Sequence, residues 1–438
     1  MATRRRFLSI ASWTAISSML VSSQNNPLRS AQNPISPPGR QRAKIARISF
    51  GDVLASNKKL SSMTAIEKSF RALHDAGYTT IYWRILWDGH PMEDYLFYSS
   101  VIQQEIYQAK QDFQNTPYAW DPYEIRWPIE VAHRLGLKFY AWIVVYNEGA
   151  PPGAYREYGV APPPMNYPYG VVYDTDFGYQ TKFVHDHPEY QLVDRQGKQY
   201  HYGVLEWAYP EARQYWLKDL KLILDKYEVD GVYLDTRTEC MSPQFADQFG
   251  FNEPIVQEFQ RRYGVNILEE DFDLEQWRAL RGEYLTLLLK EMSQLIHSKG
   301  KQFCVGTSRG DYIGFPLGNM KLQWRQWISD RIIDELVMET HGWAWGKQGY
   351  GYVTDVPTGR GLKPFDTSIR EDYSPLCRKY GVKLYLAKNE AGYKPRSLTD
   401  QCCHSRATMH ALKLPPNWCD QLEAMPEFDG VMTLELFP

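Results

Sequence analysis

Short apolar runs alternate along the chain with longer segments in which apolar residues recur every three or four positions. Runs rich in β-branched and aromatic residues are typical of buried strands, and the longer spacing is typical of amphipathic helices. The runs predict eight strands, at Ile45–Phe50, Thr79–Leu86, Lys138–Tyr146, Gly231–Asp235, Gln302–Thr307, Glu335–Thr340, Lys383–Ala387 and Gly430–Leu436. The longer segments predict helices at Met63–Ala76, Ile125–Leu135, Glu211–Tyr227, Trp277–Ser298, Asp366–Tyr380 and Thr399–Leu412.

Glycines mark the ends of several predicted helices. The four that follow a helix and precede the next strand are Gly77, Gly136, Gly300 and Gly381, and glycine is the usual residue at that position. Strands that alternate with helices pair in parallel, and eight of them in one domain indicate a (β/α)8 barrel. The alternative, an open doubly wound sheet, usually has a glycine-rich turn after its first strand. Phe50-Gly51-Asp52-Val53 is not such a turn, and we expect the last strand to close the barrel on the first.

The segments that lead from a strand to the next helix are long, whereas those that lead from a helix to a strand are short. The long ones are Trp87–Glu124, Asn147–Pro210, Thr236–Trp277 and His341–Pro364. In a barrel such βα loops gather at the C-terminal face, where the chemistry of this fold takes place. Within the second loop, His187–Tyr202 has turn residues at Arg195-Gln196-Gly197 and predicts a hairpin. The loops are also rich in tyrosine and tryptophan, which suits a ligand with flat apolar faces.

The N-terminus has the features of an export signal. Thr3-Arg4-Arg5-Arg6-Phe7-Leu8 is similar to a twin-arginine motif, and a weakly apolar stretch follows at residues 10–21. We therefore divide the chain into a twin-arginine-type signal with the start of a linker (1–31), the rest of the linker (32–43) and the barrel (44–438). This division predicts an exported protein, periplasmic or extracellular, and no second apolar run is long enough to anchor the mature chain.

Composition and charge narrow the function classes. Of the 438 residues 43% are hydrophobic and 23% charged, and the net charge is −3, so the chain has no broad basic field for nucleic acid. The six cysteines form no C-x-x-C pair and no metal spacing, and the ten histidines are scattered. We therefore expect buried thiols and no metal. These features predict neither the oligomeric state nor any need for a cofactor.

The predicted strand ends carry charge. Asp235 follows the run Gly231-Val232-Tyr233-Leu234, and acids stand at comparable positions after other strands. A residue just past the apolar run of a barrel strand emerges at the mouth, where it meets a ligand and avoids burial among aliphatic side chains. Converging carboxyl groups without histidine or cysteine ligands are what the cleavage of a glycosidic bond requires, because one protonates the leaving oxygen and the other attacks carbon or activates water.

These positions give a set of candidate site residues. The candidate catalytic residues are Asp235, Glu339 and Glu390, and the candidate substrate-binding residues are Arg84, Glu148, Trp207, Arg237, His341, Trp343 and Glu435. Asp235 is the candidate nucleophile or charge-stabilising carboxylate, with Glu339 and Glu390 as rival acids. Structural roles remain open for each: Asp235 in a turn, Glu390 as a loop cap, Glu339 in a salt bridge, Glu435 in barrel closure and His341 as a hydrogen-bonded side chain.

Three stretches resemble the glycosyl-hydrolase-like family 10 proteins, which are exported bacterial barrels. They are His187-Pro188-Glu189-Tyr190, Pro210-Glu211-Ala212-Arg213 and Tyr227-Glu228-Val229-Asp230-Gly231-Val232-Tyr233-Leu234-Asp235. Ala212 stands where the family usually has Val, Glu228 where it has Asp, and Thr236-Arg237 where many members place further acidic and aromatic residues. The layout is similar over residues 44–438, although the specific motifs are confined to 187–237.

The resemblance implies hydrolysis of a polysaccharide, in some members the glycan strands of the cell wall, without a cofactor. It matches Asp235 best and supplies no firm second carboxylate. The sequence therefore predicts an exported glycosidase that acts on O-glycosyl bonds of a polysaccharide or oligosaccharide. A carbohydrate-binding barrel without catalysis is the alternative, because the fold alone does not separate the two. A metal-dependent hydrolase would need clustered ligands, which the scattered histidines do not provide.

Overall fold

The computed structural model describes the core of the chain and parts of its loops. The described residues are 42–48, 60, 62–85, 95–97, 124–150, 165–167, 170–172, 179–236, 247–313, 317, 320–339, 365–389 and 418–434. The N-terminal signal and the linker up to residue 41 lie outside these ranges, so the predicted division of the chain at residues 31 and 43 stays a prediction.

Eight parallel strands close into a barrel. They are β1 (Ala43–Ile48), β2 (Thr80–Arg84), β3 (Lys138–Val144), β4 (Gly231–Asp235), β5 (Gln302–Ser308), β6 (Glu335–Glu339), β7 (Lys383–Asn389) and β8 (Gly430–Leu434). Each pairs with the next along the chain, and β8 pairs in parallel with β1 from Ala43–Gly430 to Arg47–Leu434. The predicted (β/α)8 barrel, and its closure through the last strand, are confirmed.

The helices surround the barrel. They are α1 (Met63–Asp75), α2 (Arg126–Arg134), α3 (Lys182–Asp186), α4 (Pro210–Lys226), α5 (Glu253–Tyr263), α6 (Leu274–Ser298), α7 (Trp324–Ser329), α8 (Phe365–Ser368), α9 (Ser374–Tyr380) and α10 (Trp418–Glu423), with a 3-10 turn at Pro188–Tyr190 and a π-helical turn at Ile369–Tyr373. The predicted helix Asp366–Tyr380 is thus three short pieces in succession, and α3, α5, α7 and α10 were not predicted. The predicted helix Thr399–Leu412 lies outside the described residues.

Local sequence fixes the ends of these helices. The Ser62 hydroxyl accepts a hydrogen bond from the Ala65 N–H at the start of α1, and the Asp273 carboxylate accepts from Glu275 and Gln276 at the start of α6, which satisfies free amides of the first turn. The four glycines predicted to end helices all have positive φ, from 68° to 84°. That left-handed conformation strains other L-residues, so glycine permits the short turn into the next strand.

Smaller sheets lie in the βα loops. Strands Gln191–Val193 and Tyr200–Leu205 pair antiparallel and confirm the predicted hairpin, with Gly197 at φ 69° in its turn. Strand Tyr179–Thr181 pairs antiparallel with Tyr95–Phe97 and with Gly149–Ala150, and a further antiparallel pair joins residues 165–167 to 170–172. The loops after β2 and β3 therefore share one sheet.

The barrel interior is filled by large polar-tipped side chains rather than by aliphatic ones alone. The rings of Tyr82 and Tyr140 stack with centroids 5.0 Å apart, and those of Tyr82 and Tyr233 stack at 4.7 Å. Gly231 and Gly306 leave the room that these rings occupy, since a Cβ at either position would lie within 2.7 Å of Tyr140 or Tyr233 atoms. The interior is therefore packed and offers no passage through the barrel.

The N-terminal end of the interior is a hydrogen-bonded polar cluster. The buried Glu335 carboxylate accepts from Lys383 Nζ at 3.2 Å, from Tyr385 Oη at 3.1 Å and from Tyr82 Oη at 3.3 Å. A cavity of about 110 Å³ opens beside it. Burial raises the pKa of the neighbouring Cys304 thiol and that of Cys377, so both buried thiols stay protonated and unreactive at neutral pH.

Candidate active site

The C-terminal half of the interior contains a buried ion pair. Arg47 Nη2 of β1 lies 2.7 Å from Asp235 Oδ2 of β4, and each side chain is 2% exposed. Asp235 is the last residue of its strand, in register with Val144 on one side and Gly306 on the other. The ion pair therefore spans the interior between strands that do not touch, at the end of the barrel where this fold carries its chemistry.

Aromatic rings hold the arginine in place. The Arg47 Cζ lies 4.0 Å from the centroid of the Trp142 ring and 5.7 Å from that of Tyr233. Such contacts attract a guanidinium to the ring face, more strongly where water is excluded. The Arg84 Cζ lies 5.6 Å from the same Trp142 ring, so two arginines from neighbouring strands flank one indole at the floor of the mouth.

The backbone beyond Asp235 is fixed to both neighbouring strands. The Asp235 carbonyl accepts from the Val145 N–H at 3.1 Å, while the N–H and hydroxyl of Thr236 both donate to the Gly306 carbonyl, at 3.1 and 2.8 Å. These bonds continue the sheet by one residue past β4. The carboxylate is thus carried by ordered backbone, which a catalytic group requires.

Two of the predicted substrate-binding residues lie behind the barrel wall. The buried Glu148 carboxylate accepts from Trp216 Nε1 at 2.8 Å and from Tyr215 Oη at 3.3 Å, both on α4. The buried Trp207 ring packs between Tyr146 and Trp216, with centroids 5.7 and 6.0 Å away. Both side chains bind the loop after β3 to α4.

The structure describes only some of the remaining predicted site residues. Arg84 is buried at the end of β2, beside the ion pair. Glu339 is the last residue of β6, two positions after the interior residue Val337, and its backbone pairs with Ser308. Its side chain lies outside the described part of the chain, as do Arg237, His341, Trp343, Glu390 and Glu435.

Sequence reasoning missed Arg47. The residue belongs to the predicted first strand, whose neighbours Ile45, Ala46 and Ile48 are apolar and buried. Strand alternation with Ile45 puts position 47 in phase with the interior, and a charge in that phase of a buried strand needs a partner. The sequence therefore contains a signal for Arg47, an arginine in the interior phase of an otherwise apolar strand.

A second buried acid was also missed. Glu206 lies in the loop before α4, and its Oε1 accepts from the Ala208 N–H at 3.0 Å. Among the described residues, no donor reaches Glu206 Oε2, and no acceptor reaches Nε or Nη1 of the buried Arg281. Burial raises the pKa of Glu206, although the nearby Arg281 charge and backbone N–H groups oppose that shift.

Within the described ranges, no group of three His, Cys, Asp or Glu side chains is arranged to hold a metal ion. Among the same residues, no helix has the length and apolar character that crossing a bilayer requires.

The sequence also matches a family of known proteins. The model of the Glycosyl hydrolase-like 10 family matches residues 53–344, which include β4, the hairpin and the strand ends that carry Asp235 and Glu339. The chain belongs to this family. The resemblance noted from the motifs of residues 187–237 is thereby confirmed, and the family's barrel gives the chain a glycosidase-like fold. No curated protein shows significant similarity to the chain.

Several solved glycosidase structures are similar in fold. α-L-Fucosidase isoenzyme 2 from Paenibacillus thiaminolyticus is 12% identical, with a TM-score of 0.40 over 80% of this chain and 40% of that one. The β-galactosidase from the psychrophilic Marinomonas ef1 is 10% identical, with a TM-score of 0.37 over 68% of this chain and 40% of that one. The GH20 exo-β-N-acetylglucosaminidase from Vibrio harveyi is 12% identical, with a TM-score of 0.39 over 92% of this chain and 51% of that one. The chain spans less than two thirds of the length of each.

Proposed function

We propose that this member of the Glycosyl hydrolase-like 10 family is an exported glycoside hydrolase that cleaves O-glycosidic bonds of a polysaccharide. The observation that carries the proposal is the position of Asp235, an acid at the C-terminal end of β4 that lies inside the barrel and pairs with Arg47. An ion pair favours the charged carboxylate. A charged carboxylate at this face is suited to attack an anomeric carbon or to stabilise the positive charge that develops there.

The partner acid comes from another strand end. Glu339 at the end of β6 and Glu390, one residue past β7, are the two candidates for the acid that protonates the leaving oxygen. A separation of about 5 Å between the two carboxyl groups makes the enzyme retaining, and one of roughly 6.5–9.5 Å makes it inverting. Arg84 at the end of β2 is a candidate contact for a bound sugar, and Arg237, His341, Trp343 and Glu435 are further candidates at the mouth. The chemistry needs no cofactor.

Export follows from the twin-arginine-type motif, and the protein would meet its substrate in the periplasm or outside the cell. The substrate is a polysaccharide or oligosaccharide, with the glycan strands of the cell wall as the first candidate. Nucleic acid is an unsuitable partner for a chain with a net charge of −3.

A carbohydrate-binding barrel without catalysis is the second candidate, and one observation favours it. Asp235 Oδ2 already accepts a 2.7 Å hydrogen bond from Arg47, and both side chains are 2% exposed. A buried charge pair of this kind also occurs as a structural element, because removing either member costs stability. Under this reading the mouth would bind sugar while Asp235 only holds the barrel together.

The experiment that tests the proposal compares Asp235→Asn with Asp230→Asn. Asp230 lies just before the other end of β4, where its carboxylate accepts from the Phe139 N–H at 2.7 Å and contacts His133. In both variants Asn keeps an acceptor oxygen, so we expect both to fold. The purified full chain and the variants are incubated with peptide-free cell-wall glycan strands and with plant and microbial polysaccharides, and products are identified by mass spectrometry.

We expect hydrolysis by the wild type and by Asp230→Asn, and a loss of several orders of magnitude in kcat for Asp235→Asn. Unchanged hydrolysis in Asp235→Asn would remove Asp235 from the mechanism. Saturable binding of a glycan without products in any condition would favour the binding barrel. Glu339→Gln and Glu390→Gln then assign the acid, because loss of a general acid spares substrates whose leaving group needs no protonation, such as nitrophenyl glycosides.

A further inference from the structure

The ion pair between Arg47 and Asp235 joins opposite parts of the barrel. Two strands, β2 and β3, separate β1 from β4 in the sheet, so no backbone hydrogen bond connects the two residues directly. Their side chains meet in the interior at 2.7 Å. The arginine therefore reaches across the floor of the mouth to the one acid that ends β4.

The guanidinium is held by more than its charge. Its Cζ lies 4.0 Å from the face of Trp142, itself buried, and 5.7 Å from the Tyr233 ring. A guanidinium stacked on an indole has little freedom to rotate, and its planar donors present a fixed direction to an acceptor. Asp235 Oδ2 occupies that direction, so the arginine fixes the orientation of the carboxylate as well as its charge.

We propose that Arg47 is a positioning residue for the carboxylate of Asp235: it keeps that group ionised and holds its Oδ2 oxygen in one orientation. The inference rests on the proposed function, since it assigns Asp235 the charged role in glycoside cleavage. With its side chain only 2% exposed, Arg47 is assigned no contact with the sugar or with the bond that breaks. Its effect on the reaction passes through Asp235.

Replacing Arg47 by a neutral residue has different effects if the ion pair is purely structural and if Arg47 positions the carboxylate. Loss of a structural pair lowers the free energy of unfolding and the folded fraction. Loss of a positioning charge also raises the pH at which the carboxylate takes up a proton, because an opposite charge within 4–6 Å favours ionisation by about 1–3 pH units. The pH dependence of hydrolysis therefore separates the two roles.

The experiment uses Arg47→Gln, which keeps a hydrogen-bond donor without the charge, and Arg47→Lys, which keeps the charge without the planar fork. Arg213→Met is the matched control: Arg213 on α4 pairs at 2.9 Å with Glu291 of α6, and its side chain is 10% exposed. That substitution removes a largely buried arginine and its ion pair away from the mouth. Unfolding by urea is measured for all three, and kcat is measured from pH 3 to pH 9.

We expect the midpoint of the acidic limb of kcat to rise by at least about one pH unit in Arg47→Gln and to stay within about 0.3 unit in Arg213→Met. In Arg47→Lys we expect the midpoint to change less than in Arg47→Gln, while kcat at the optimum falls about tenfold or more because the carboxylate is no longer oriented. An unmoved limb in folded Arg47→Gln overturns the proposal. If Arg47→Gln does not fold, wild-type kcat in Arg47→Lys overturns it.

A direct titration keeps the inference separate from the proposed function. The side-chain carboxyl carbons of aspartate are labelled with ¹³C, and the Asp235 signal is assigned by its absence in Asp235→Asn. A rise of its titration midpoint in Arg47→Gln supports the role of Arg47 even if no glycan is cleaved. The same midpoint in wild type and Arg47→Gln overturns that role even if hydrolysis is observed.

Discussion

The packing of the barrel interior makes a sharp prediction for Gly306→Ala. A Cβ at this position of β5 would lie 2.2 Å from the Tyr233 hydroxyl oxygen and 2.7 Å from two carbons of its ring. An ordinary van der Waals contact is 3.4–4 Å, so the ring must move by more than 1 Å. Tyr233 is fully buried and stacks on Tyr82 at 4.7 Å, which leaves it no free direction. We expect a loss of about 1–3 kcal/mol in the free energy of unfolding.

A double-mutant cycle identifies the contact. Tyr233→Phe removes the oxygen nearest to the new Cβ, so in combination with Gly306→Ala it should cost less than the two single substitutions summed, by at least about 0.5 kcal/mol. Gly231→Ala is the contrasting position, because the atoms nearest to its Cβ include the Gln302 backbone carbonyl oxygen at 2.7 Å as well as Tyr140. No side-chain substitution removes this backbone oxygen, so Tyr140→Phe should not rescue Gly231→Ala.

The measurement is urea-induced unfolding at pH 7, followed by tryptophan fluorescence and far-ultraviolet circular dichroism. Coincident transitions with an unchanged slope allow the free energies to be compared. A Gly306→Ala protein within about 0.5 kcal/mol of the wild type would refute the reasoning, since it would mean that the stacked tyrosines yield without cost. Because Tyr233 also borders Arg47 at 5.7 Å, the same variant should lower kcat if the proposed function is correct.

Two further predictions concern the buried acids outside the barrel interior. Glu206→Gln should gain stability relative to the wild type as the pH rises above about 4.5. Burial in the folded protein raises the pKa of Glu206 above its ordinary value of 4.5. The free energy of unfolding of the wild type therefore falls as the pH rises from the unfolded pKa to the folded pKa, by about 1.4 kcal/mol for each pKa unit between them. Urea unfolding at pH 4, 6 and 8 measures this, and a pH-independent difference between the two proteins contradicts it. Glu148→Gln should cost about 1–2 kcal/mol of stability, because Trp216 and Tyr215 lose a charged acceptor, and should leave kcat/KM unchanged; a selective loss of activity would instead support Glu148 as a substrate contact.

The sequence was sufficient to predict the strands and the way they close. Their apolar runs have clear boundaries, and the glycines with positive φ end helices where expected. Less was predicted in the loops. Helix α5 has Pro254 in its first turn and Gly264 in the left-handed conformation just after it, both of which are ordinary helix signals. The helix is short and lies inside the long segment between β4 and α6, where loop residues on both sides obscure its apolar periodicity.

The candidate site was predicted less well, for a geometric reason. A strand end fixes the height of a residue along the barrel but not which side of the wall its side chain faces, and a change of one residue reverses that side. Glu148 was predicted at the mouth from its position just after β3, and Trp207 from its place in a βα loop, whereas both pack against α4. Asp235 was placed by the same rule and does lie inside. What distinguishes Asp235 from Glu148 is that Asp235 alternates in phase with Tyr233, an interior residue two positions earlier on the same strand.

The two charged clusters inside the barrel show why the distinction matters for function. Glu335 and Asp235 are both buried, and each accepts from a basic residue of a different strand. Glu335 also accepts from two tyrosines and begins its strand, at the face of the barrel that serves stability. Asp235 ends its strand, at the face from which this fold acts. Since apolar side chains of similar volume often replace a buried ion pair without loss of stability, a pair at that second face needs a reason beyond stability. A reaction that requires a charged, oriented carboxylate supplies one, and the titration of Asp235 with and without Arg47 tests whether it is the right one.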